Sequence, residues 1–352
     1  MHRFLLAASV LAILSGCGDG QPFFDDEEPA EPTEPTDPTD PETPNDILDT
    51  GTVLPPGATE PEPDGGLTRS EAGGDTGGGY VDSVAYQPGS DTFVVDGLGF
   101  DGANVYQRGT EVGSLGGYAV FEADVQAEDT LTGEPIGQIV PYRALYGVSD
   151  NQVDGEARTA FAIVRTGGYV NYGFGGFVYE RNGAVVLPDS GQAVFSGDYA
   201  GMRVFDARGG LEFTRADMQV AIDFDDFNTN DAVQGRIFNR VAFDEVGGTV
   251  PLGGEDQLVL PDVLFNIEAG GGGGLTEAGE ISGTLSSNVL SETGALETYE
   301  EGTYYGILAG DTTAGDGGEL VGIVVLESDD PRYDGVTAQE TGGFILYRGA
   351  TN

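Results

Sequence analysis

The fold is decided by Gly302-Thr303-Tyr304-Tyr305-Gly306, followed after a short acidic segment by Gly318-Glu319-Leu320-Val321-Gly322-Ile323-Val324. Both stretches combine glycine with aromatic and β-branched residues. The same texture runs from about residue 80 to residue 348, where short runs rich in Val, Ile, Phe and Tyr alternate with turns of Gly, Asn and Asp. No window of any length has the apolar spacing of an amphipathic helix. The sequence therefore predicts an all-β, antiparallel fold, either a sandwich or a barrel, with residues 191–195, 202–206 and 257–260 among its separate strands.

An earlier stretch, Phe195-Ser196-Gly197-Asp198-Tyr199-Ala200-Gly201, has the same character. Small barrels need glycine where strands bend and aromatic rings to fill the interior. Residues 190–348 resemble the transferrin-binding-protein-B-like bacterial lipoproteins, whose closing hairpin has a Gly-x-aromatic-aromatic-Gly strand and then an acid before a Gly-rich strand. The resemblance implies a C-terminal eight-stranded antiparallel barrel, preceded by a further β unit and a disordered tether. The positions that carry it are Gly197, Tyr199, Gly201, Gly302, Tyr304, Tyr305, Gly306, Gly318, Glu319 and Gly322.

The N-terminus reads as an export signal. A short charged start and an apolar run end at Leu14-Ser15-Gly16-Cys17, and Cys17 is the only cysteine. This layout resembles a bacterial lipoprotein signal, which implies removal of residues 1–16 and acylation of Cys17. The alternative is an ordinary export signal with an incidental thiol. The prediction is a lipid-anchored outer-membrane protein, on either the periplasmic or the cell-surface side, because several acyl chains hold a protein stably on a membrane.

Composition divides the rest of the chain. Residues 17–79 hold most of the 18 prolines and many acids, with Arg69 as their only base, so we expect a disordered, self-repelling tether. A break near Pro188-Asp189-Ser190 predicts an N-terminal β unit over residues 80–189 and a barrel domain over residues 190–352.

Charge and missing residue types limit the function. The net charge is −46, from 60 acidic and 14 basic residues, and all the basic residues are arginine. Such a chain repels nucleic acids. His2 is the only histidine and leaves with the signal. Ser-His-Asp and Cys-His catalysis, metal sites built on imidazole or thiolate, and P-loops are thereby excluded. We predict no cofactor and no metal.

Three short motifs match known sites only in part. Residues 47–52 and Asp75-Thr76-Gly77 carry the Asp-Thr-Gly signature of aspartic proteases, but no β lobe fits between them. Residues 97–102 fit a dinucleotide fingerprint that no helix follows. Residues 226–231 open like a calcium loop but lack its Gly and its Glu. Of these three interpretations, we keep only weak Ca²⁺ binding by residues 226–231 as an alternative.

An aromatic run stands among glycines at Tyr169, Tyr172, Phe174, Phe177 and Tyr179. It could form a ligand platform, but aromatic rings beside strand glycines also pack over bare backbone. We favour packing.

The sequence as a whole favours a non-catalytic lipoprotein that binds a protein or small-molecule ligand through its barrel loops. A structural spacer of the cell envelope is one alternative. The other is a glycoside hydrolase that works with carboxylates alone, since that chemistry needs only two acids.

Overall fold

The computed structural model describes residues 62–71, 79–98, 104–128, 132–137, 140–168, 171–225, 232–253, 256–267, 274–291, 293–315 and 317–349. Cys17 and its signal, most of the tether, both Asp-Thr-Gly motifs and the calcium-like loop lie outside these residues. The described residues belong to one compact unit.

Every regular element among the described residues is a β-strand. The first half of the chain forms β1 Leu67–Ser70, β2 Gly79–Gln87, β3 Thr92–Leu98, β4 Val105–Arg108, β5 Ser114–Leu115, β6 Tyr118–Glu122, β7 Gln126–Glu128, β8 Pro135–Gly137, β9 Arg143–Val148, β10 Gln152–Val153, β11 Glu156–Ala157, β12 Thr159–Arg165 and β13 Gly175–Arg181. The second half forms β14 Val185–Val186, β15 Gln192–Asp206, β16 Leu211–Asp223, β17 Val233–Phe243, β18 Pro251–Gly253, β19 Asp256–Gln257, β20 Val263–Phe265, β21 Gly274–Leu275, β22 Glu280–Leu290, β23 Leu296–Asp311, β24 Glu319–Asp329 and β25 Thr337–Arg348. No helix capable of spanning a membrane occurs in the part of the chain that the structure describes.

The C-terminal strands close into a barrel. Eight of the described strands pair antiparallel in the cyclic order β15, β16, β17, β20, β22, β23, β24, β25, and β25 pairs with β15 again. The short strand β14 adds to β23 in parallel. The predicted all-β class and eight-stranded barrel are confirmed.

Large apolar side chains fill the barrel. Phe195, Tyr199, Tyr304 and Phe344 are fully buried in one cluster. Glycines in the wall make room for their rings: a Cβ at Gly283 would lie 2.6 Å from Tyr304 Oη, and one at Gly342 would overlap Tyr199 Oη. Glycine at these positions therefore allows close packing over bare backbone.

The N-terminal strands form a second, curled sheet. Its order within the described residues is β1-β13-β12-β9-β6-β4-β3-β2, with β5 beside β6. The curl brings its last strand, β2, back beside β13. The two backbones are so close that a Cβ added at Gly176 of β13 would lie 2.9 Å from the backbone nitrogen of Val81 in β2. The inside of the curl buries aromatic residues, among them Phe93 and Phe121, whose rings stack with centroids 5.3 Å apart.

The curled sheet packs against the outer wall of the barrel. Phe161 and Ile163 from β12 share a buried cluster with Ile307, Val321 and Ile345 of the barrel strands. The outer face of the barrel on this side is therefore core rather than surface.

Buried polar contacts also join the two sheets. Arg181 donates from Nη1 to the carbonyls of Ala278 and Leu308, at 2.7 and 2.9 Å, and from Nη2 to that of Gly65. Burial lowers the pKa of Arg181 to about 10, against the opposing effect of the Glu280 carboxylate. The Arg181 side chain thus links the curled sheet to the barrel and to the segment that precedes β1.

The structure differs from the sequence-based expectation in three places. Leu67–Ser70 belongs to the region predicted as tether but forms β1, because Leu67 is buried and Arg69 lies 2.7 Å from Glu280. Residues 195 and 202, predicted to lie in separate strands, both lie in β15. Residues 257–260 are also predicted as a strand, but they do not form a barrel strand. The barrel strand in this region is β20, which pairs with β22.

Candidate functional site

The motif residues of the barrel lie in its wall. Gly197, Tyr199 and Gly201 are on β15, and Gly302, Tyr304, Tyr305 and Gly306 are on β23. Gly306 pairs in register with Gly322 of β24, while Gly318 precedes that strand. Tyr199 and Tyr304 are in the barrel core and Tyr305 is in the interface with the curled sheet. In this structure the motif builds the barrel, and of its residues only Gly302 lines the groove described below.

Glu319, the acid of that motif, is fully buried at the seam between the two sheets. It accepts hydrogen bonds from the hydroxyls of Ser149 and Thr159, both at 2.8 Å, and from Asn151 Nδ2 at 2.6 Å. Arg158 Nη1 lies 3.9 Å from Glu319 Oε2. The hydrogen bonds satisfy the buried carboxylate and link β24 of the barrel to the curled sheet. We call this set of contacts the Glu319 clamp.

A network of charged residues lies buried at one end of the barrel, which we call the charged end: the end where β15, β17, β22 and β24 finish. Its centre is Glu340, which accepts from Arg240 Nη2 at 2.9 Å, from Tyr199 Oη at 2.7 Å and from Thr214 Oγ1 at 2.9 Å. Arg240 also donates to Glu300 at 2.6 Å. Each buried carboxylate here therefore meets an arginine.

The network continues outward to the loop between β24 and β25. Glu212 pairs with Arg203 at 3.0 Å and with Arg332 at 2.7 Å. Arg332 also pairs with Asp330 at 2.6 Å, and Arg208 lies 3.7 Å from Asp330. Opposite charges thus alternate through the network, as burial of ions requires.

The buried carboxylates of the network are poor candidates for acid catalysis. Burial would raise the pKa of Glu300, but the charge and hydrogen bonds of Arg240 and the Ser287 hydroxyl lower it. The pKa of Asp330 is lowered in the same way: burial alone would raise it, but the hydrogen bonds from Arg332 outweigh that effect. A carboxylic general acid needs the opposite shift. We read the network as structural.

A groove of about 1110 Å³ lies beside the charged end, on the outer wall of the barrel. Its floor is formed by β22, β23 and β24, and Tyr172 from the curled sheet stands at one side, with its hydroxyl 2.8 Å from Thr337 Oγ1. The lining residues are Tyr172, Asn266, Thr284, Leu285, Ser286, Thr298, Tyr299, Glu300, Glu301, Gly302, Thr303, Val325, Glu327, Ser328, Asp329 and Thr337.

The groove is acidic. Glu301 and Glu327 are exposed and directly opposite each other on the paired strands β23 and β24, and Asp329 follows on the same face. No arginine lines the groove among the residues described. Within the described part of the chain, Gln339 Nε2 donates a hydrogen bond to the Glu327 carboxylate at 2.9 Å. Like charges opposite each other on a sheet destabilise it, so this wall is poised to accept positive charge.

Hydroxyl and amide groups line the other side of the groove. Asn266 Nδ2 donates to Thr284 Oγ1, and Ser286 Oγ donates to Asn266 Oδ1, each at 3.0 Å. Burial raises the pKa of Tyr172, and the charges of Glu327, Asp206 and Asp329 add to that rise. The wall thus combines carboxylates with neutral hydrogen-bonding groups.

The sequence did not single out the acids of the groove. Among the residues that it did name, Gly302 and Tyr172 line the groove; Gly302 is predicted as part of the barrel motif, and Tyr172 as a packing residue together with Phe174, Phe177 and Tyr179. Phe177 and Tyr179 are buried, Phe174 is exposed, and Tyr169 lies outside the described residues. No group of His, Cys, Asp or Glu in the described part of the chain has the geometry of a metal site.

Comparisons with known proteins give structural similarity only. No family model matches the sequence, and no curated protein matches it. A double mutant of transferrin binding protein B from Haemophilus parasuis Hp5 aligns with a TM-score of 0.35 and 11% identity, over 75% of this chain and 41% of that one. Intact Ap-TbpB, with its N and C lobes, aligns with a TM-score of 0.33 and 12% identity, over 73% and 42%. The chain thus spans about two fifths of those structures.

Proposed function

We propose that this protein is a non-catalytic, lipid-anchored protein of the outer membrane that binds a positively charged ligand in the acidic groove. Acylation at Cys17 would attach it to the membrane, and the acidic segment that follows would act as a tether. The groove is large enough for a peptide segment, so we favour a basic segment of a partner protein over a small molecule.

The observation that carries this proposal is the opposed pair Glu301 and Glu327. The buried acids Glu300 and Glu340 are each paired with Arg240. In the groove Glu301 and Glu327 lie opposite each other, and no arginine lines the groove among the residues that the structure describes. Like charges directly opposite each other destabilise a sheet. A cationic ligand would relieve that repulsion.

The decisive experiment compares two triple variants that remove the same charge. One carries Glu301→Gln, Glu327→Gln and Asp329→Asn in the groove. The other carries Glu111→Gln, Glu134→Gln and Glu277→Gln, three exposed glutamates that do not line the groove. Binding of a synthetic oligo-arginine peptide is measured at low ionic strength, where exposed charges are least screened.

We expect the groove variant to bind the peptide about tenfold more weakly than the control variant. It should also resist urea better than the wild type, because the Glu301–Glu327 repulsion is gone. Equal weakening in both variants would show that the peptide senses only net charge, and would refute the groove as the site.

The anchor and the side of the membrane need separate experiments. Incorporation of a labelled fatty acid should occur in the wild type and disappear in Cys17→Ser. Protease treatment of intact cells, with a periplasmic protein as control, tests which side the barrel faces: degradation supports a surface receptor, and protection supports a periplasmic partner.

Shortening the tether separates a binding protein from a spacer. The deletion has to end at residue 61, because Leu67–Ser70 is part of the curled sheet. With residues 20–61 removed and Cys17 kept, a binding protein should retain its affinity for the peptide. A spacer would lose its role in the envelope.

A further inference from the structure

The curled sheet contains a second cavity, unconnected with the groove. It measures about 220 Å³ and lies at one mouth of the curl, between β13, β12, β9 and the returning strand β2. Strand register explains the space. Ala162 stands between Val178 and Tyr146 on neighbouring strands, and Ala160 stands beside Glu180. Two small side chains between larger ones leave a hollow.

Glu180 is the charged group of this hollow. It is half-buried, and it accepts a hydrogen bond from the Thr68 hydroxyl at 3.4 Å. Among the described residues no arginine forms an ion pair with it, in contrast to the buried acids Glu212, Glu300 and Glu340. Burial raises the pKa of Glu180, as expected of a carboxylate that has lost water without gaining a counter-charge.

Two tyrosines line the same hollow. Tyr86 and Tyr146 have ring centroids 6.0 Å apart and ring planes inclined at 35°. Glu180 and Tyr146 line the same cavity. The pKa of Tyr146 is raised first by burial and then by the negative charge of Glu180. Aromatic faces attract cations, most strongly where water is displaced.

A neighbouring cavity of about 210 Å³ on the other side of Tyr86 makes a useful contrast. There the protein supplies its own cation: the Arg108 guanidinium lies 4.4 Å from the centre of the Phe121 ring and pairs with Asp91 at 2.6 Å. The cavity at Glu180 has the aromatic rings and the carboxylate but no arginine in its lining. A bound cation would give this cavity the combination that Arg108 gives its neighbour, namely a positive charge between an aromatic ring and a carboxylate.

We propose that this cavity binds a small organic ammonium ion, with the Glu180 carboxylate as counter-charge and the rings of Tyr86 and Tyr146 as walls. The volume corresponds to about seven water molecules at roughly 30 Å³ each, which excludes a peptide and suits a compact ammonium group with a short substituent. The site uses neither the groove nor the barrel, so it is independent of the function proposed above.

The test uses choline as the probe and its uncharged analogue 3,3-dimethyl-1-butanol as the matched control ligand. Binding to the full chain is followed by calorimetry and by tyrosine fluorescence, which no tryptophan obscures because the chain has none. We expect saturable binding of one choline per chain and much weaker binding of the neutral analogue. Equal binding of both ligands would mean a merely apolar hollow and would overturn the proposal.

Three variants test the residues. Glu180→Gln should weaken choline binding about tenfold, or roughly 1.4 kcal/mol. Tyr86→Leu should weaken it as well, whereas Tyr86→Phe keeps the ring and should bind nearly as the wild type does. The groove variant described above should bind choline normally. Unchanged binding in Glu180→Gln, with thermal unfolding confirming that the variant is folded, would refute the assignment.

Discussion

Glu340 shows how single residues stabilise the interior of this barrel. It is buried, and it accepts hydrogen bonds from a guanidinium, a phenol and a threonine hydroxyl. Burial, followed by the charge of Glu340, holds the pKa of Tyr199 well above its usual value. The phenol therefore stays a hydrogen-bond donor at all ordinary pH values.

Removing the Glu340 carboxylate should destabilise the protein severely. In Glu340→Leu, Arg240 and Arg203 keep their charge but lose a partner, and an uncompensated buried charge costs about 3–5 kcal/mol. Urea unfolding measures the loss. The matched control is Glu327→Leu on the outer face, for which we expect a change within about 0.5 kcal/mol. Similar losses in both would contradict a structural role for the network.

Glu300 should make stability depend on acid pH. Its folded pKa lies below its unfolded pKa, so its contribution is complete above the unfolded value of about 4.3 and is lost as pH falls through the folded value. Glu300→Gln should be less stable than the wild type at pH 7, and the difference should shrink as the solution is acidified. Unfolding curves at several pH values check this, and a difference that does not change with pH would contradict the linkage.

At the scale of the element, the long strands depend on glycine at ring contacts. Gly342 of β25 faces Gly201 of β15 in register, and the Tyr199 ring lies against it. Because the bare backbone allows this approach, β15 continues through its glycines as one strand of 15 residues. The sequence predicts two strands here, residues 191–195 and 202–206, and the structure joins them into one.

A methyl group at this contact should therefore be costly. Gly342→Ala places a Cβ on the Tyr199 ring, and overpacking of a core typically costs about 1–3 kcal/mol. The control is Gly137→Ala in β8, where no atom lies within 4 Å of the added Cβ. Thermal unfolding should show a lower melting temperature for Gly342→Ala than for Gly137→Ala. An equally small decrease in both variants would mean that the barrel wall accommodates the added methyl group without strain.

At the scale of the whole molecule, the curled sheet and the barrel form one core. Ile307, Val321 and Ile345 point out of the barrel but are buried by the first sheet. The Arg69–Glu280 pair and the Glu319 clamp connect the same surfaces. A barrel without the first sheet would expose this face to water.

The predicted division at residue 190 can be tested by expressing residues 190–349 alone. We expect this fragment to aggregate or self-associate, whereas residues 62–349 should be monomeric in size-exclusion chromatography. Exposed apolar surface of this kind drives association. A soluble, monomeric barrel with a sharp unfolding transition would instead support two independent domains.

Local pattern was enough to determine the class of the fold. Short apolar runs between turn residues are a property of neighbouring residues, and they predicted an all-β chain. The C-terminal barrel was implied by the resemblance of the Gly-aromatic motif around Tyr304 to a known family. The absence of Lys, Trp and any second Cys or His is likewise read directly from the chain, and it removed most catalytic chemistries.

Only the tertiary structure decided which charges are paired. Tyr199 and Glu340 are 141 positions apart, and Glu319 meets Thr159 across 160 positions. In a sequence with 60 acids, nothing local separates Glu300, paired inside the barrel, from its neighbour Glu301, unpaired in the groove. Barrel closure turns adjacent side chains to opposite sides of the wall, because successive residues of a strand point to opposite faces. Composition therefore determined how much negative charge this protein carries, and strand register determined where it is left unneutralised.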